Sequence, residues 1–160
     1  MPRGSSRSLL FVLGLAGCAT SPSPDVAYQA PAAGAEAQLT VKTERMWAPN
    51  RVTVYLAKPG ADPNAGARQR VGQLQSGESV RREALSFDAR LAAGVPLPLF
   101  FEYRYDAGSL RETGCNYAVT LTLDAGARYL VDFIKDTRGC TPRFFVLGKD
   151  GSQTEISVVK

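Results

Sequence analysis

An all-β fold is what this chain predicts, and three observations predict it. From residue 39 onward, apolar and polar residues alternate with a period of two in short runs enriched in β-branched and aromatic side chains. Between the runs lie turn-forming clusters: Pro59-Gly60, Asp62-Pro63-Asn64, Ser76-Gly77, Asp106-Ala107-Gly108, Asp124-Ala125-Gly126 and Lys149-Asp150-Gly151. No helical period is sustained beyond about two turns, and no internal repeat is present. Short half-buried strands with a turn about every ten residues make an antiparallel β-sandwich.

Taken in order, residues 39–43 alternate, and residues 51–56 do so more clearly, placing Val52, Val54 and Leu56 on one face. Residues 70–74 form a weaker run, and residues 79–87 read equally as a strand or a helical turn. Residues 97–105 are dense in Phe and Tyr, with Leu99, Phe101, Tyr103 and Tyr105 sharing a face. Residues 115–123 direct Cys115, Tyr117, Val119, Leu121 and Leu123 inward and Asn116, Thr120 and Thr122 outward. Residues 128–135 align Tyr129, Val131 and Phe133, and residues 143–147 and 154–159 close the chain. The expected architecture over residues 39–160 is an immunoglobulin-like or transthyretin-like sandwich, with a small closed β-barrel as the alternative.

The first 38 residues differ in kind. Arg3 and Arg7 precede an apolar run over residues 9–15, too short to cross a hydrocarbon core of about 30 Å. A basic start, a short apolar segment and small residues before a cut site describe a secretory signal peptide over residues 1–17. The residues that follow, Leu15-Ala16-Gly17-Cys18, resemble the lipobox of bacterial lipoproteins. That resemblance implies cleavage before Cys18 and acylation of Cys18, and multiple acyl chains hold a protein stably on a bilayer. In the Gram-negative families it resembles, an Asp after the cysteine favours the inner membrane. Ala19 stands there instead, which implies an outer-membrane, periplasm-facing lipoprotein. Residues 18–38, rich in Ala, Pro, Ser and Gly, are expected to be an extended spacer with no packed core of their own.

Charge and cysteine usage narrow the function classes. The formal charge of +4 falls to +2 on loss of Arg3 and Arg7, and the longest basic run is the pair Arg81-Arg82. Nucleic acid is therefore not an expected partner. Beyond Cys18 the chain holds Cys115 and Cys140, an even number in an oxidising compartment, and a disulfide between them is expected. If residues 124–127 form a hairpin, Cys140 lies at that hairpin's open end, and closing the loop is worth about 3 kcal/mol.

The chain has no histidine, which removes Ser-His-Asp and Cys-His schemes and the commonest nitrogen ligand of zinc. The remaining candidates are Glu102, between Phe101 and Tyr103, and Asp132, between Val131 and Phe133. Both are expected on the solvent faces of strands. No Gly-rich phosphate loop, EF-hand loop or Rossmann fingerprint occurs. No catalytic residue, metal or cofactor is assigned, and the protein is expected not to be an enzyme.

Recognition is the better expectation. Trp47 sits between two strands, where it either plugs a sandwich end or anchors a partner. The connection over residues 58–69 and the segment over residues 106–114, with Arg111 and Glu112, are natural recognition loops. The stretch from residue 95 to 146 loosely resembles small bacterial envelope lipoproteins of β-sandwich build. The reading is a non-catalytic outer-membrane lipoprotein, an adaptor or accessory subunit for an envelope protein or glycan. The alternative is a lysozyme-inhibitor-like or small-ligand-carrier lipoprotein.

Overall fold

A computed structural model describes residues 26–30, 34–46, 50–57, 68–76, 83–107, 110–136 and 139–158; for residues 45, 83, 106–107, 110–113 and 136 it describes the backbone alone. The strands are β1 (Val26–Ala27), β2 (Glu36–Met46), β3 (Asn50–Leu56), β4 (Gln69–Gln75), β5 (Glu83–Ala92), β6 (Pro96–Ala107), β7 (Leu110–Thr122), β8 (Arg128–Asp136), β9 (Gly139–Leu147) and β10 (Gln153–Ile156). They form two five-stranded sheets, β1-β4-β3-β6-β7 and β10-β9-β8-β2-β5. The protein is a β-sandwich. Each sheet ends in edge strands, so the barrel alternative is excluded.

The sheets are mixed rather than purely antiparallel. β2 runs parallel to β8, and β1 parallel to β4. In an immunoglobulin sandwich the first two strands are neighbours in one sheet. Here β2 and β3 lie in different sheets, and β2 sits between β5 and β8. Of the two sandwich topologies expected, the strand order follows the transthyretin-like one.

Alternation accounts for the core. Leu39 and Val41 of β2, Val52 and Val54 of β3, Leu99 and Phe101 of β6, Val119 and Leu121 of β7, and Val131 and Phe133 of β8 are all buried between the sheets. Phe101 stacks on Phe133 at 6.3 Å and meets Phe144 edge-on at 6.0 Å, geometries that suit the aromatic quadrupole. The ambiguous run around residue 85 is strand β5. Its Leu85, Phe87 and Leu91 continue the period of two that a helical turn would break.

Three expectations need correction. Residues 124–127 do turn the chain, with Ala127 N–H donating to the Asp124 carbonyl at 3.2 Å, but they carry it from one sheet to the other. β7 and β8 are therefore not a hairpin. The Cys115–Cys140 disulfide, with a Cα–Cα distance of 5.8 Å, staples β7 of one sheet to β9 of the other. The phenol of Tyr129 fixes this crossing, accepting from Asp124 N–H at 3.0 Å and donating to its carboxylate at 3.2 Å.

The second correction concerns the spacer. Val26 and Ala27 pair with Gln69 and Arg70, and Tyr28 N–H donates to the Arg70 carbonyl at 2.9 Å. Sheet pairing in β2 likewise begins at Glu36, ahead of residue 39. The third concerns Glu102. It faces outward, as alternation requires, yet is only 6% exposed.

Candidate functional site

The strand directions give the sandwich two distinct ends. β2 starts, and β3, β5, β7 and β9 finish, at the end where the N-terminal segment joins the fold. Gly126 N–H donates to the Glu36 carbonyl at 2.7 Å there, and Gly94 N–H to the Leu123 carbonyl at 2.8 Å. A shallow open groove lined by Glu36, Gln38, Arg90, Gly126 and Arg128 lies at this end. Its cations already have partners: Arg90 is 3.5 Å from Glu36, and Arg128 donates to the Gly148 carbonyl at 2.6 Å.

The far end carries the β2–β3, β4–β5, β6–β7 and β8–β9 connections. It is pinned by two devices. Asn50 N–H donates to Ser76 Oγ, and Ser76 N–H and Oγ–H donate to the Asn50 carbonyl, each at 3.1 Å. The inter-sheet disulfide holds the other side.

The residues singled out from sequence distribute as follows. Cys18 and Trp47 lie outside the described residues. Arg111 and Glu112 fall in β7 in register with Asp106 and Tyr105, their backbone alone described. Met46 at the end of β2 and the described ends of β6 and β7 belong to one end. The connection over residues 58–69 joins β3 to β4 at the opposite end.

The two candidate acids cannot act together. Glu102 lies on the outer face of one sheet, where Arg104 donates to its carboxylate at 2.9 Å. Asp132 lies on the outer face of the other sheet, in register with Arg143. The whole thickness of the sandwich separates them, whereas a glycosidase pair needs both carboxylates on one substrate. Around Glu102 the outer face is buried too. Thr53, Tyr55 and Phe100 are 3–5% exposed, and the Arg68 guanidinium sits 4.3 Å from the Tyr55 ring centre and 5.4 Å from that of Phe100. Among the described residues, no group of three or more Asp, Glu or Cys converges as a metal site would require.

Sequence reading missed the edges of the sandwich, because an edge is a property of strand order. Opposed pairs run β4 over β5 through β7 over β9, so the sheets are offset by one strand. β1 overhangs on one side and β10 on the other. Under β1 the step is occupied: the Tyr28 phenol oxygen accepts from Ala92 N–H of β5 at 3.3 Å. Over β10, the inward Ile156, with Val146 of β9 and Val158, is partly buried against the core and has no strand of the other sheet above it.

The chain matches no protein-family model and no curated protein.

Proposed function

We propose that this protein is a non-catalytic outer-membrane lipoprotein, anchored through Cys18, that serves as an adaptor or accessory subunit for an envelope protein or glycan. The observation that carries the reading is the polarity of the sandwich. Strand β1 joins at one end, and the described ends of β2, β4, β6 and β8 lie at the other. An anchor at one end leaves the pinned far end and the sandwich flanks directed away from the bilayer. The ring of Phe101 against both Phe133 and Phe144 in the middle of the core favours an adaptor over a carrier of small ligands.

Crosslinking of the lipidated protein in cells, followed by affinity capture and mass spectrometry, tests this. One dominant envelope protein or glycan in stoichiometric amount is the expected result. Recovery of a small apolar ligand alone overturns it in favour of a carrier.

A further inference from the structure

We infer that the step formed by the outer edge of β7, with which no described strand pairs, and the inner face of β10 is a docking site for a single extended segment of a partner protein. Natural sheets blunt their edges with charge, proline or shortness. Three of the four edges here do so: β10 is four residues long and carries Glu155, β1 is two residues long between Pro24 and Pro31, and β5 carries Asp88 and Arg90. β5 is also covered in part, since its Ala92 N–H donates to the Tyr28 hydroxyl.

β7 is different. It is thirteen residues long, and residues 116–122, Asn-Tyr-Ala-Val-Thr-Leu-Thr, contain neither charge nor proline. Asn116, Ala118, Thr120 and Thr122 are exposed on its outer face. The disulfide at Cys115 fixes this strand to the second sheet, so it meets a partner already ordered.

The same step has an apolar floor. A strand added to β7 would lie about 4.8 Å beyond it and about 10 Å above β10. Its inward side chains would land on Ile156, Val146 and Val158. Main-chain bonds would supply affinity, and this row would supply side-chain selection. The occupied step on the opposite side shows the mode at work within the molecule: a short extended segment pairs with β4, and the aromatic Tyr28 covers β5.

Three occupants compete, and two fail on geometry. In an antiparallel β7–β7 pairing of two copies, the second copy's β9 would fall on the site that β10 already holds. The N-terminal segment is committed to the far side of the same sheet, where Val26 pairs with Gln69. What fits is a partner's segment with no second layer behind it. It should be free of proline over about five to seven residues, with β-branched or aromatic residues at alternate positions.

This inference rests on the adaptor reading, and its test separates the two. In cells expressing the full-length lipidated protein, a photo-crosslinking amino acid replaces Ala118, Thr120 or Ile156, with the exposed Ser86, Glu44 and Tyr105 as comparison positions. The expected result is crosslinks from 118, 120 and 156 to alternate residues of one short partner segment. Ile156→Asp should cut crosslinking at 120 by about tenfold or more, because it places a charge in the apolar floor. Retention of the disulfide and of the thermal transition shows that this variant is folded. Crosslinks from Glu44 or Tyr105 alone, with 118, 120 and 156 silent, overturn the edge site while the adaptor reading stands. Silence at every position overturns both.

Discussion

Two residues carry more of the fold than their size or charge suggests. At Gly72, a Cβ would lie 2.2–2.6 Å from ring atoms of Phe87, where β4 of one sheet closes on β5 of the other. Only a bare α-carbon admits the ring. Gly72→Ala should cost about 1–3 kcal/mol through overpacking, read as a lower urea midpoint, and Phe87→Leu in the same chain should recover part of the loss. Glu102 is the second. Its carboxylate is buried on the outer face of the sheet, and its partner Arg104 is one-third exposed. Glu102→Ala should cost about 1–3 kcal/mol, less than a fully buried pair because water reaches the arginine. No sequence pattern distinguishes Glu102 from an exposed strand acid, since alternation reports direction and not what lies over the face.

Strand existence was legible and strand partnership was not. The runs now seen as β3, β6, β7 and β8 follow from period two, because one buried face imposes it on each strand separately. The turn at Asp124-Ala125-Gly126 was legible for the same local reason. Which sheet the next strand joins depends on the whole topology, so the disulfide was expected across a hairpin and in fact spans the sheets. β1 escaped notice because two residues carry no period, and its place is set by backbone pairing and the Tyr28 hydroxyl. Breaking the staple with Cys115→Ala and Cys140→Ala should lower stability by about 3 kcal/mol, measured by chemical denaturation, with the loss concentrated in β7 and β9.

The β9–β10 hairpin carries a pH dependence of its own. Hydrogen bonding from Arg143 holds the Glu155 carboxyl below its ordinary 4.5, and the Ser152 hydroxyl and N–H hold the Asp150 carboxyl below its ordinary 3.8. Gly151 closes the turn with a φ of 84°, open to glycine without strain. Both acids are depressed, so their contribution is fully present above these ordinary values. It is lost as pH falls through the lower folded-state values. Amide exchange in residues 153–156 should therefore accelerate below about pH 4 before the central strands respond. Arg143→Gln should abolish the part that depends on Glu155.

At the scale of the molecule, the offset of two five-stranded sheets creates one filled step and one that no described strand fills, and the chain direction gives two distinct ends, of which the one where β1 joins is the tethered end under the proposed anchoring. The docking of residues 26–28 shortens the reach of the anchor. With Cys18 as the acylated start, only residues 19–25 remain as spacer, roughly 20 Å at about 3 Å per residue in extended form. Under the proposed anchoring a partner lies near the membrane, and lengthening the spacer by a flexible insertion after Asp25 should leave folding unchanged while weakening capture of such a partner, measured by crosslinking yield in cells.

The proposed function rests on the proposed anchor at Cys18. The measurement that tests it most directly is the mass of the N-terminal peptide of the protein extracted from cell envelopes in detergent. The account predicts a mature chain beginning at Cys18, with acyl chains on its sulfur and amino group. A chain that begins elsewhere, or an unmodified Cys18, contradicts it.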